Sequence, residues 1–265
     1  MLMAVNVGNS RISVGFFRSE SAQIIAKFKL ATDISKTSDE YIALMRAMMR
    51  EQYLSPEDIS GCIYSSVVPQ LNFVIGEALR RITKTYVMTV APGIKTGFSI
   101  KIDNPSELGA DIVANTAAVI NMSNNDKEKR EAAIIVDMNA VTTVSALGKN
   151  CEYLGCSIFP GVQMSFDIMH GATAKLPNVR FSVPSRAIGK NSPESLLSGV
   201  ILGNASIIDG MVDSFAREMK CAPFEIRLFA TGEYASTVVS VCRNKFLLDD
   251  DLTLKGLYHI FVNNR

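Results

Sequence analysis

Apolar residues alternate with small or polar ones along MLMAVNVGNSRISVGFF, pause at Gly8-Asn9-Ser10, and resume from Ile12 to Phe17. A two-residue period on both sides of a glycine turn predicts a β-hairpin. Lys27-Phe28-Lys29-Leu30 reads as a further strand. From Ser38 the period lengthens. Ile42, Leu44, Met45, Met48 and Met49 recur at helical spacing, which predicts a helix capped by Ser38 and running to Arg50, its methionine stripe in the core. Gly61 to Val68 is a buried strand stopped by Pro69, followed by a helix over about 70–83 and a strand from Tyr86 to Val90. The apolar run from Ile112 to Ile120 predicts a helix with Asp111 on its first turn.

A polar, turn-rich stretch from Asn121 to Arg130 divides the chain into 1–121 and 131–265. The second part opens with IIVDMNAVTTVSAL, which echoes MAVNVGNSRISV. Each has an apolar strand, an Asn or Asp, one apolar residue, a short turn and a Ser/Thr-bearing strand. The echo sets Asn6 opposite Asp137 and Gly8 opposite Asn139. Strands follow near 134–138, 142–147 and 153–158. A helix starts about Gln163, a longer one covers Pro193 to Lys220, a strand covers 226–230, and a last helix begins near Leu252. Strands mixed with helices of this length point to layered α/β halves, and paired halves bind ligands in the cleft between them.

Composition narrows the function classes. The 265 residues are 48% hydrophobic and 20% charged, enough for a large core, and the net charge is +1. That balance gives nucleic acid no electrostatic footprint, and nothing resembles a helix-turn-helix. No apolar run approaches the ~18 residues of a membrane span, and the start of the chain lacks the features of a secretory signal. Five cysteines without a CxxC pair suit reduced thiols in a cytoplasmic protein. Cys151 and Cys156 lack a nearby histidine to complete a zinc set. His170 and His259 are the only histidines, and no GxSxG elbow accompanies them, so both read as ordinary surface or capping residues.

Three places carry candidate chemistry. The N–H groups of the hairpin turn can form a nest for phosphate. A metal-facing acid would stand at the end of the first strand, where this chain has Asn6. Asp111 is either a general base for an alcohol or a helix-start acid held by the dipole. Asp137, ending a strand beside Thr142 and Thr143, either binds a cation and phosphate oxygens or is a solvated strand end. Phe159-Pro160-Gly161 and Gly171 to Pro177 are turn-rich, and Gly232 after Ala230-Thr231 could approach a nucleotide closely.

Taken in order, VNVGNSRISVGFF, SSVVP, NPSELGAD, IIVDMNAVTT, YLGCSIFPGVQMS, GATAKLP, IGKNSPESLLSG, IDGMVDSFAREM, ATGE and LTLKGL resemble the type III pantothenate kinases over nearly the whole chain. The resemblance implies an α/β, actin-like fold of two ribonuclease-H-like domains, 1–121 and 131–265, with an interdomain cleft. It implies a homodimer that uses ATP, Mg²⁺ and a monovalent cation (K⁺ or NH₄⁺) to phosphorylate the hydroxyl of pantothenate, the first step to coenzyme A. By position, Asp111 would be the general base. Asn6, Gly8, Asn9, Ser10, Arg11, Ser13 and Ala140 would lie on the ATP side, and Asp137 would hold the monovalent cation. Ile102, Gly109, Ala110, Ile112 and Thr173 would line the alcohol pocket, Thr173 from across the dimer.

Several of these positions depart from the family pattern. Asn6 stands for an Asp, Ile112 for the Arg that would grip a carboxylate, and Ile102 for a Tyr. Asn139-Ala140 replaces Gly-Thr, Glu233 replaces the second glycine of TGG, and Gly155-Cys156 replaces a Gly pair. Three readings of function follow: a pantothenate kinase, a weak or inactive paralogue that binds a ligand or regulates, and a kinase for another small alcohol.

Overall fold

The structure is a computed structural model that describes residues 1–18, 21–123, 131–172, 177 and 179–265. Contacts divide it into two units. One comprises Met1–Phe98, Asp103–Met122 and Asp251–Arg265, the other Ser99–Ile102 and Ser123–Asp250.

In the first unit, β1 (Leu2–Val7), β2 (Arg11–Phe17) and β3 (Ile24–Ala31) form an antiparallel meander. Helix α1 (Ser38–Glu51) leads to β4 (Gly61–Ser66), which lies parallel to β1, and α2 (Asn72–Thr83) leads to β5 (Val87–Thr89), parallel to β4. The sheet order is β3-β2-β1-β4-β5. Central β1 and β4 are buried on both faces, so they read as continuous apolar runs. Met3, Val5 and Val7 point to the α1 and α2 layer, while Leu2 and Ala4 join the core on the other face. Edge strand β3 turns Lys27 and Lys29 to solvent, which blunts an open sheet edge.

Two local expectations shift. The N-cap of α1 is Thr37, not Ser38. Its hydroxyl accepts the Glu40 N–H at 3.3 Å, and the Glu40 carboxylate accepts the Thr37 N–H at 2.8 Å, a reciprocal capping box. Ser38 instead donates to the Val74 carbonyl at 3.0 Å. Strand β4 stops at Ser66 because the Ser66 hydroxyl accepts the Val68 N–H at 3.1 Å and turns the chain before Pro69. The methionine stripe is core at Met45 and Met49, whereas Leu44 faces outward. After a 3₁₀ turn at Pro105–Glu107, α3 (Ala110–Ser123) covers the far face of the sheet.

The second unit repeats the plan. A short β6 (Ser99–Ile100) lies at the edge of a sheet whose meander is β7 (Ala132–Met138), β8 (Val141–Gly148) and β9 (Glu152–Pro160). Helix α4 (Val162–Ala172) follows, then α5 (Ser192–Leu197), a π-helical turn at Ser198–Leu202 and α6 (Gly203–Glu218). Strand β10 (Ile226–Thr231) is parallel to β7, and after α7 (Ala235–Val239) β11 (Leu247–Leu248) is parallel to β10. The order β11-β10-β7-β8-β9-β6 is the first sheet's order with one added edge strand. The internal echo is therefore structural: β1 corresponds to β7, and both are flanked by one antiparallel and one parallel neighbour.

The run Ser192–Glu218 is long and apolar enough to cross a membrane, with mean hydropathy 1.5 over its best window. No single apolar stretch reveals it, because Glu194, Asp209 and Asp213 interrupt the run. Val200, Ile201, Ala205, Ile208 and Val212 pack with Ile134 and Val136 of β7, so it serves as the core helix of this unit.

The C-terminal helix α8 (Leu252–Asn263) corrects the sequence division at 131–265. It packs in the first unit, with Leu254, Leu257, Tyr258 and Ile260 at helical spacing against Leu2, Phe17 and Ile63. Gly256 makes the fit possible: a Cβ there would lie 1.8 Å from the Ala114 carbonyl oxygen of α3. Thr253 adds a hydroxyl bond to Asn115 at 2.7 Å, and Lys27 pairs with Asp251 at 2.7 Å.

Candidate active site

In the first unit, β1 ends in a tight turn. The Gly8 N–H donates to the Arg11 carbonyl at 2.9 Å. Thr32, just after β3, braces the turn: its Oγ1 donates to the Gly8 carbonyl at 2.6 Å, and its N–H to the Ser10 carbonyl at 3.0 Å. Asn9, Ser10 and Arg11 stay exposed at the tip. The N–H groups of Asn9 and Ser10 meet no acceptor among the described residues, as an anion-binding turn requires.

Asn6 sits one step below the turn, paired across the sheet with Ser13 of β2 and Ser65 of β4. The buried Ser65 hydroxyl donates to Asn6 Oδ1 at 2.9 Å. The amide oxygen is thus engaged, and the side chain brings no negative charge. Among the described residues no group of three or more His, Cys, Asp or Glu is placed to hold a metal ion. This side of the site offers hydrogen-bond donors and hydroxyls for phosphate, and no carboxylate for Mg²⁺.

Asp111 lies on the first turn of α3, where the Gly109 carbonyl accepts the first helical bond, from the Val113 N–H at 3.0 Å. The preceding loop is locked by Asn104, whose side-chain oxygen accepts from the Ser106 N–H and whose amide donates to Glu107 at 2.8 Å. Asp111 Oδ1 folds back to accept the Ile112 N–H at 2.8 Å. It crosses the space above Gly109, where a Cβ would stand 2.7 Å from that oxygen, so a larger residue there would push the carboxylate aside. Burial pushes the Asp111 carboxyl above the ordinary carboxylate range, and the bond to Ile112 offsets only part of that rise. A shielded carboxylate with a raised affinity for protons is a competent general base. Ala110 and Ile112, its neighbours, are half-buried.

The second unit carries the counterpart of Asn6. Asp137 is buried on β7, paired with Thr143 of β8 and Thr231 of β10, as Asn6 is paired with two serines. The Asn139 amide donates to Asp137 Oδ1 at 2.5 Å, and Asn139 Oδ1 accepts the Glu233 N–H at 3.3 Å. Gly232 approaches the Met138 backbone at φ +101°, and a Cβ there would lie 2.6 Å from it. Gly161 is confined in the same way, 2.5 Å from the Asn139 and Ala140 carbonyl oxygens by its would-be Cβ.

The structure thus brings Asn6, Gly8, Asn9, Ser10, Arg11 and Ser13 together at one sheet end, and Gly109 through Ile112 at one helix start. Asp137 and Ala140 lie at the matching sheet end of the second unit, and Ile102 follows β6 in that unit. Thr173 lies outside the described residues. Ser65, beside Asn6 in the first unit, and Thr231, beside Asp137 in the second, are not singled out as site residues by the sequence, whereas Thr143 stands out there beside Asp137 and Asn139 as a departure from the family pattern. Extending the internal echo to the parallel neighbours β4 and β10 would have found both missed hydroxyls. His170 is exposed on α4, and His259 packs edge-on to Tyr258 in α8, its pKa lowered by burial.

The sequence matches the model of the type III pantothenate kinase family over residues 2–214. Among solved structures, a Campylobacter jejuni protein named as a Baf family transcriptional activator is 16% identical, with a TM-score of 0.62 over 99% of this chain and 98% of that one. A Sinorhizobium meliloti protein named as a 2-dehydro-3-deoxygalactonokinase is 12% identical, with a TM-score of 0.57 over 99% and 96%. A Listeria monocytogenes protein named as an N-acetylmannosamine kinase is 11% identical, with a TM-score of 0.51 over 100% and 99%. At these identities the likeness is one of fold, the two-domain actin-like fold.

Proposed function

The chain belongs to the type III pantothenate kinase family, and we propose that it transfers the γ-phosphoryl group of MgATP to the hydroxyl of pantothenate. Asp111 takes the hydroxyl proton. The alcohol oxygen bonds to the γ-phosphorus as the bond to the β,γ-bridging oxygen breaks, and ADP leaves. The observation that carries this reading is Asp111 itself, shielded, raised in pKa and fixed by Gly109 and the Ile112 N–H. Phosphoryl transfer asks the protein chiefly for positioning and charge stabilisation. The free N–H groups of Asn9 and Ser10, with Gly8, Arg11 and Ser13, suit the ATP phosphates. Mg²⁺ arrives on the nucleotide, since Asn6 supplies no carboxylate for it.

Ile102, Gly109, Ala110 and Ile112, with Thr173, belong to the alcohol side. Ile112, next to Asp111, gives that side an apolar character and no guanidinium to grip a carboxylate. This favours a second reading, a similar small alcohol that lacks the acid group. The working form is a homodimer, for which the exposed Leu154, Cys156 and Ile158 along one face of β9 supply an apolar stripe. ATP as donor and five unbridged cysteines fit the cytoplasm.

The test is coupled ADP release from MgATP with pantothenate and with pantothenyl alcohol, on wild type and Asn6→Asp. Turnover with pantothenate supports the first reading. A clear preference for the uncharged alcohol supports the second. Silence from both proteins with both alcohols refutes the kinase reading and leaves a ligand-binding or regulatory paralogue.

A further inference from the structure

We infer that the Asn139 carboxamide occupies the place at Asp137 that a monovalent cation would take, so that this chain works without K⁺ or NH₄⁺. The inference rests on the kinase reading for the role of the site, but its geometry stands on the second unit alone.

Both ends of the Asn139 amide are engaged. Its nitrogen donates to Asp137 Oδ1 at 2.5 Å, and its oxygen accepts the Glu233 N–H at 3.3 Å. A carboxylate must accept and a backbone N–H must donate, so the amide has only one orientation here. Its nitrogen stands at hydrogen-bond distance from Asp137 Oδ1, the separation at which an ammonium ion would approach the same oxygen. The other partner is more telling. A cation draws oxygen ligands toward itself. The Glu233 N–H carries positive charge outward and repels a cation, whereas it needs an acceptor such as Asn139 Oδ1.

The amide therefore ties the end of β7 to the loop after β10, the two parallel strands that carry Asp137 and Thr231. Gly232, pressed on the Met138 backbone, and the Tyr234 N–H, donating to the Met138 carbonyl at 3.2 Å, hold the same two segments together. The family pattern has glycine where this chain has Asn139, so a cation there would meet no side chain. Here the link is covalent to the protein and always present.

The test compares KCl, NH₄Cl and tetramethylammonium chloride at one ionic strength, reading melting temperature and ADP affinity by calorimetry for wild type and Asn139→Gly. Wild type should show the same melting temperature and ADP affinity in all three salts. Asn139→Gly should melt higher in KCl or NH₄Cl than in tetramethylammonium chloride. It should also bind ADP ~10-fold tighter there, an ordinary coupling between two bound ligands. A saturable K⁺- or NH₄⁺-specific rise in the wild-type melting temperature overturns the inference. So does a variant as indifferent to the salt as wild type. Asn139→Ser serves as the second variant if glycine prevents folding. Absence of ADP binding in every salt counts against the kinase reading alone, because the melting comparison still decides the inference.

Discussion

Replacing Asp111 by Asn should move rate and stability in opposite directions. The side chain keeps its shape, and its oxygen can still accept the Ile112 N–H that Asp111 Oδ1 accepts at 2.8 Å. What is lost is the negative charge and the ability to take a proton. Loss of a positioned general base costs ~10²–10⁴ in rate. At about 1.36 kcal/mol per decade this is roughly 3–5 kcal/mol of barrier. Stability responds to two terms. The bond to Ile112 weakens, from the ~1.5–3 kcal/mol of a charged acceptor to the ~0.5–1.5 of a neutral one. Against this, the cost of shielding a carboxylate disappears. Burial is the larger cause of the Asp111 shift and raises its pKa, so the second term wins. In wild type the folded state holds this proton more tightly than the unfolded chain does. Wild-type stability is therefore eroded as pH rises from the ordinary carboxylate value through the raised one. The Asn variant escapes that erosion. The assay is thermal melting of both proteins from acid to neutral pH, beside coupled ADP release at saturating MgATP and pantothenate. The two melting curves should meet in acid, part as pH rises, and stay apart with the variant higher, while its turnover falls. A variant that melts lower at neutral pH, by a margin growing with pH, would refute the account of Asp111 as a shielded base. A rate within threefold of wild type would refute its role in proton transfer.

Three further outcomes are expected. Asn6→Asp should raise turnover by ~10²-fold, the value of one preorganised electrostatic contact, and steepen its dependence on Mg²⁺; a lower rate would show that the amide is the better group beside Ser65. Gly256→Ala should cost at least ~1–3 kcal/mol in a denaturant titration, because a Cβ 1.8 Å from the Ala114 oxygen forces α8 from α3. Turnover should fall with it, since Ala114 lies one turn beyond Asp111. Cys62 is fully buried with its thiol pKa pushed up, so a thiol reagent should modify it only on unfolding, whereas Cys156, on the exposed stripe of β9, should react in the monomer and be protected in the homodimer, read by mass spectrometry of the native and denatured protein.

Much of the fold was legible because periodicity reports burial. Central β1, β4 and β7 are buried on both faces and read as apolar runs, and the echo between MAVNVGN and IIVDMNA announced two sheets of one topology. The place of α8 was not legible, since its apolar stripe says that it is buried and not against which sheet. Asp111 could be placed on a helix start from the sequence. Its shielding could not, because that depends on how the side chain folds back over Gly109. Asn139 was visible only as a substitution. Its two bonds require knowing that the turn after β10 passes close to the turn after β7, a tertiary fact enforced by Gly232.

The return of α8 to the first unit also bears on synthesis. A chain leaving the ribosome generally folds its leading domain first. Here the leading sheet lacks the cover that Leu254, Leu257 and Ile260 provide until all of the second unit has been translated. The elements of the second unit from β7 to β11 all precede α8 in the chain, while Leu2, Phe17 and Ile63 wait for α8 with one flank exposed. The α8-facing side of the N-terminal sheet is therefore the last part of the first unit's core to be completed during synthesis, although the side facing α1 and α2 is closed by residues of the first part alone.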